Sequence, residues 1–106
     1  MAIVEVSIVP LGTETPSLSK FVAGCLLILQ GERDLHYQLT PMGTVIEGDL
    51  CRILEVVMKM HEQPFNSGAR RVLTNIRVDD RRDRVITMSG KVAAIINKLA
   101  VQENKD

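Results

Sequence analysis

The stretch His36-Tyr37-Gln38-Leu39-Thr40-Pro41-Met42-Gly43-Thr44-Val45-Ile46-Glu47-Gly48-Asp49 decides the fold. Two short runs that suit extended backbone flank Pro41, which cannot donate to a strand ladder, and Gly43, which suits a tight turn. The spacing predicts strands over His36 to Thr40 and Gly43 to Glu47, joined as a hairpin. Gly48-Asp49 then ends the second strand and offers a carboxylate as a helix N-cap. A hairpin that runs straight into a helix is the middle of a βαββαβ order, and the flanking sequence supplies the rest.

Upstream, Ile3 to Val9 alternates β-branched residues with Glu5 and Ser7, which puts Val4, Val6 and Ile8 on one face of a strand. After a turn-prone segment, Thr15 is a candidate cap and Pro16 a first helical residue. Leu18, Phe21, Val22, Cys25, Leu26 and Leu29 then recur at helical spacing until Gly31. Downstream, Leu50, Ile53, Leu54, Val57, Met60 and His61 form the apolar stripe of a second helix, which the segment Pro64 to Gly68 is expected to stop. Arg71 to Asp79 reads as the fourth strand, with Val72, Thr74, Ile76 and Val78 facing one way and Leu73, Asn75 and Arg77 the other. A last helix is expected from Thr87 to beyond Leu99, with Met88, Val92, Ile95, Ile96 and Leu99 along it.

This order predicts the α+β class, a ferredoxin-like βαββαβ sandwich with an extra C-terminal helix. Residues 1–101 form one domain in this reading, and 102–106 a polar tail. Both core helices cover one face of an antiparallel sheet. The other face should present Glu5, Ser7, Gln38, Thr40, Glu47, Asn75 and Arg77, with Ile3, Val9, Val45 and Leu73 among them. So mixed a surface calls for a cover: the last helix, a second subunit, or both.

A chain of 106 residues has room for one domain, and 45% apolar residues can build its core although aromatics are only 3%. Thirteen basic and thirteen acidic side chains cancel, so the field that non-specific nucleic-acid binding needs is absent. Cys25 and Cys51 have no C-x-x-C spacing and read as free, packed thiols, which suits a reducing cytoplasm. The start of the chain lacks the pattern of a signal peptide, and no apolar run approaches the roughly 20 residues that span a bilayer. A cytoplasmic location is the expectation.

Chemistry-bearing constellations are sparse. His36 and His61 have no carboxylate at metal-ligand spacing, so no metal site is expected. Glu5 and Glu47 on adjacent strands have the types of an acid/base pair, but solvated or interfacial carboxylates are the commoner meaning, and no nucleophile accompanies them. No catalytic residue is assigned. The run Asp79-Asp80-Arg81-Arg82-Asp83-Arg84 alternates in sign, as a loop with local ion pairs or a clamp on a neighbouring subunit does. No G-x-G-x-x-G or P-loop pattern is present.

The segment Tyr37 to Gly48 resembles the hallmark of the small thiamine-binding protein family. Three flanking segments agree with it: Glu5-Val6-Ser7-Ile8-Val9-Pro10-Leu11-Gly12-Thr13, Met60-His61-Glu62-Gln63-Pro64-Phe65, and Ile76-Arg77-Val78-Asp79-Asp80-Arg81-Arg82-Asp83. The resemblance implies a non-catalytic protein that binds thiamine or its hydroxymethylpyrimidine part and assembles through its sheets into dimers and tetramers. Where many relatives carry a second Thr after Thr74, this chain has Asn75, a polar exchange that could retune selectivity.

The residues permit that function. Thiamine joins a flat aminopyrimidine to a cationic thiazolium, so a site needs donors, acceptors and a balancing charge. Ser7, Thr40, Thr44 and Asn75 could supply short hydrogen-bonding groups, Glu5 or Glu47 could balance the cation, and Met42 could pack on the rings. The pocket is then expected on the open face of the sheet. Strict alternation puts Thr44 on the core side with Ile46, and only a bulge after Gly43 would turn it over. The rivals are a regulatory module with another small ligand, an assembly module with none, and a small isomerase or oxygenase of the same fold.

Overall fold

A computed structural model describes residues 1–12 and 19–103. Seven elements follow in the order β1 (Ala2–Leu11), α1 (Ser19–Gln30), β2 (His36–Thr40), β3 (Gly43–Gly48), α2 (Leu50–Asn66), β4 (Arg71–Asp80) and α3 (Met88–Glu103). The four strands form one sheet in the order β2-β3-β1-β4, and all three neighbouring pairs are antiparallel. The expected ferredoxin-like sandwich with an added C-terminal helix is therefore the architecture. The Thr15 cap, the Pro16 start and Leu18 lie outside the described residues, as does the end of the tail. Helical backbone continues through Glu103.

The core is where the alternation of β1 and β3 meets the stripes of two helices. Val4 and Val6 face Ile46 together with Cys25 and Leu29 of α1 and Ile53, Val56, Val57 and Met60 of α2. Each large apolar side chain so enclosed contributes roughly 1.5–3 kcal/mol before chain entropy is counted. Tyr37 packs against this cluster from β2. Within α2 the stripe is rotated slightly from the expected one: Val56 is buried and Leu54 is exposed. An i, i+3, i+4, i+7 pattern starting at Ile53 selects Val56, Val57 and Met60, whereas Leu54 lies a residue off that line.

Two ends of α2 are instructive. Asp49 accepts from the Arg52 backbone N–H at 3.2 Å and caps the start, as its position after Gly48 suggests. Pro64 does not stop the helix; it lies inside the last turn, and Ser67-Gly68 form the stop. Gly68 takes φ +104°, and Ala69 N–H returns to the Pro64 carbonyl at 2.9 Å. Without an N–H, Pro64 leaves the carbonyl four residues earlier, that of Met60, free of its helical partner. The buried Cys25 thiol of α1 donates to that carbonyl at 3.4 Å. Cys51, by contrast, is an exposed free thiol, because it falls on the outer side of the first turn of α2.

On the surface, Arg52 ties the α1–β2 loop to α2 through Glu32 at 2.6 Å and Asp34 at 2.9 Å, and pairs with Glu55 one turn along its own helix at 2.6 Å. Its hydrogen bonds to Asp34, Glu55 and Glu32 raise its pKa further, and the same guanidinium lowers that of Asp34. Such exposed pairs fix geometry more than they stabilise.

α3 leaves the body. Thr87 caps it through Gly90 N–H at 3.0 Å, and its first turn is held where Glu47 accepts from Met88 N–H at 2.7 Å and Lys91 pairs with Asp79. Every residue from Ser89 to Val101 is exposed. The molecule measures 56 × 30 × 20 Å, with a radius of gyration of 16.5 Å; a compact domain of this length has about 13 Å. α3 thus covers only the Ile3 end of the open sheet face, leaving Leu73 half exposed.

Candidate functional site

The site follows from a mismatch of strand lengths. β1 has ten residues and β3 six, and their pairing stops at Val6 opposite Thr44. From Ser7 to Leu11, β1 continues with β4, its only strand partner among the described residues. Pro10 is tolerated there because one side of the strand has no ladder to supply. The unpaired side of β1, the tip of the β2–β3 hairpin and α1 enclose a notch of about 510 Å³. That is the size of a small-molecule pocket.

Gly43 shapes its edge. A side chain at this position would put Cβ 2.6 Å from the Val6 carbonyl oxygen, so only glycine lets the hairpin close on β1. The Thr40 hydroxyl fastens the turn: it donates to the Gly43 carbonyl at 3.0 Å and accepts from Met42 N–H at 3.3 Å. Thr44, directly opposite Val6 and Leu39, points to the helix side and is 7% exposed, so no bulge turns it over. Ser7 reaches the notch although its alternation phase is that of the open face, because the pairing of β3 with that edge of β1 ends at Val6. Met42 stands at the rim, 83% exposed.

Of the seven residues singled out in the sequence, Ser7, Thr40, Met42 and Thr44 line this notch. Glu5, Glu47 and Asn75 lie on the opposite face of the sheet. Glu5 pairs with Arg77 at 3.5 Å, Glu47 is taken by the start of α3, and Asn75 lies exposed across from Ser7. The cavity floor was not legible as such: it comes from Cys25 and Leu26 of α1, Leu39 of β2 and Met60 of α2. The one available signal was the excess length of β1 over the hairpin. Burial pushes the Cys25 thiol pKa up, which keeps it neutral and able to donate to Met60. Three hydroxyls among apolar and sulfur-bearing walls can bracket the edge of a flat heterocycle and pack its faces.

Two other concavities lack this character. One of about 560 Å³ lies at the base of α3, but the helix residues on its wall, Gly90, Lys91, Ala94 and Ile95, are exposed, and Arg81 and Lys91 are already paired with Asp83 and Asp79. A shallower one of about 300 Å³ on the open face contains the Glu5–Arg77 pair. Among the described residues, no three His, Cys, Asp or Glu side chains gather as a metal site, and no helix is long and apolar enough to cross a membrane.

Residues 4–96 match the family described as thiamine-binding protein. The UPF0045 protein YqgV of Bacillus subtilis is 50% identical over 98 residues, covering 90% of this chain and 94% of its own. A UPF0045 protein of Methanothermobacter thermautotrophicus is 35% identical over 100 residues, covering 93% of this chain and all of its own. Among solved structures, the hypothetical protein MJ1052 of Methanocaldococcus jannaschii superposes with a TM-score of 0.81 at 36% identity, covering 89% of this chain and 94% of that one. A Thermotoga maritima protein whose name assigns it provisionally to thiamine biosynthesis or salvage shares the fold, with a TM-score of 0.72 at 20% identity over 89% of this chain and 97% of that one. With the match running from β1 into α3 and the relatives covering nine-tenths of the sequence, the chain belongs to the thiamine-binding protein family.

Proposed function

We propose that this protein binds thiamine or a related hydroxymethylpyrimidine compound in the notch at the hairpin tip, as a cytoplasmic carrier or sensor that does not transform its ligand. The observation that carries the reading is the coincidence of the family's hallmark segment with a wall of the cavity: Leu39 to Thr44 belong to both. In this reading Ser7, Thr40 and Thr44 meet the nitrogens of the aminopyrimidine and Met42 folds over its ring. The cationic thiazolium points to the open mouth, where water solvates it. Glu5, Glu47 and Asn75 then serve the other face of the sheet, where further copies of the chain join it in a dimer or tetramer. The two unpaired thiols accord with a reducing compartment.

Isothermal titration of ligand-stripped protein with thiamine, and separately with hydroxymethylpyrimidine, tests this. Heat of binding that disappears in Thr44→Val is the expected result. Absence of both heat and thermal stabilisation at millimolar ligand would sink the reading.

A further inference from the structure

Four consecutive residues of β1, Val6, Ser7, Ile8 and Val9, line the notch. A cavity resting on one face of a strand touches every second residue, because side chains alternate between faces. Contact with all four means that the cavity reaches the edge of the strand, where the backbone itself is the wall. Beyond Val6, no strand of the described residues stands on that side.

The direction of each backbone group along this edge follows from the ladder. In an antiparallel pair, one residue turns both its N–H and its C=O to a given neighbour, and the next residue turns both away. The Val6 carbonyl faces the hairpin, since a Cβ at Gly43 would lie 2.6 Å from its oxygen. Ile8 and Pro10 share that phase, while Ser7 and Val9 turn to Asn75 and Leu73 of β4. Pro10 fits the same phase, because its missing N–H belongs on the side without a ladder. From Ile8 to Pro10 the edge thus offers the notch one N–H, that of Ile8, with the Ile8 C=O beside it.

We infer that the Ile8 backbone reads the ligand, pairing with a ring nitrogen that accepts and an amine next to it that donates. Adjacent acceptor and donor on a flat, neutral ring are the amidine edge of an aminopyrimidine, and a single strand residue presents the complement. A ligand that displaces water from this edge must satisfy both groups, because an orphaned N–H or C=O costs more than a made bond returns. An anionic oxygen only accepts, so a carboxylate or phosphate set here would face the Ile8 carbonyl with nothing to donate. The assignment rests on the binding reading above and deepens it. The hydroxyls of Ser7 and Thr44 are left for the second ring nitrogen, and selection of the amine falls to the main chain.

Amide exchange and ligand titration of the isotope-labelled full chain, followed by NMR, test it. Without ligand, the Ile8 amide should exchange with solvent well ahead of those of Ser7 and Val9, which β4 holds. Hydroxymethylpyrimidine should move the Ile8 amide resonance downfield and slow its exchange. The same ring with hydrogen in place of the amine should bind roughly tenfold more weakly. Ile8→Pro removes the N–H at no cost to the ladder and should weaken hydroxymethylpyrimidine by a similar factor; Ile8→Val keeps the N–H and should bind as wild type does. Three results would overturn the assignment alone: an Ile8 amide as protected as its neighbours without ligand; heat of binding with an unmoved Ile8 amide; or equal affinity for the ring with and without its amine. No heat from thiamine or from hydroxymethylpyrimidine overturns it together with the binding reading.

Discussion

Pro64, Met60 and Cys25 form a chain of consequences at the residue scale. The proline removes a helical N–H, the Met60 carbonyl loses its partner, and a thiol from the neighbouring helix replaces it. Cys25→Ala removes the thiol that donates to that carbonyl and empties part of the cavity floor, so it should destabilise by about 1–3 kcal/mol; Cys25→Ser keeps a donor and should lose less. Urea denaturation of the two variants decides it. Because burial raises the Cys25 pKa above its ordinary 9.0, the folded state favours the neutral thiol. Its contribution is complete below pH 9 and is lost as pH rises through the folded value. The stability difference between wild type and Cys25→Ala should therefore shrink in alkali, which melting curves across that range would show. At Gly43, a methyl group would press on the Val6 carbonyl, so Gly43→Ala should cost about 1–3 kcal/mol by the same measurement. Neither the Cys25–Met60 contact nor the Gly43–Val6 approach was legible in sequence, since each joins residues from separate elements.

The elements themselves were legible. The alternation in β1 and β4, the capping Asp49 and the Pro41-Met42 turn between β2 and β3 stand in the structure where their local chemistry puts them. What local pattern does not carry is the rotation of a helix about its axis, which is why Leu54 and Val56 exchange roles in α2, and the behaviour of a helix with little to pack against. α3 shows the second case. Its stripe of Val92, Ile95, Ile96 and Leu99 is apolar yet 56–61% exposed, and its described tethers lie in the first turn. A helix that buries so little opens locally at small free-energy cost. In dilute monomer its amides should exchange well ahead of those of α2, where Ile53, Val56 and Met60 are enclosed. Hydrogen exchange read by mass spectrometry gives the ranking; equal protection in both helices would contradict it.

For the molecule as a whole, the sequence anticipated a two-faced sheet and a ligand on its open side, whereas the structure sets four of the seven candidates at the notch and leaves Glu5, Glu47 and Asn75 on the open face. The division was hidden because alternation tells which face a residue takes but not where a strand outruns its neighbour. Binding in the notch engages β1, the hairpin and α1 together, so it acts on global stability by mass action. Ligand at a hundred times its dissociation constant should add about 2.7 kcal/mol, and a melting temperature roughly 10–20 °C higher follows for a domain of this size. Differential scanning fluorimetry over a thiamine series reads this directly, and a midpoint that stays put would contradict it.

The short hairpin beside the long β1 also acts as a ruler. Each residue pair added to β2 and β3 would advance the hairpin tip about 3.4 Å along the free side of β1, and five residues of β1 extend past the last β3 pair. Lengthening the hairpin by that amount would fill the notch and leave an uninterrupted sheet, while shortening it would deepen the recess without disturbing the helices that form its floor. Among proteins built on this plan, the number of residues between the second strand's first core position and Gly43 is thus a dial for the depth of the cavity, readable from sequence by counting.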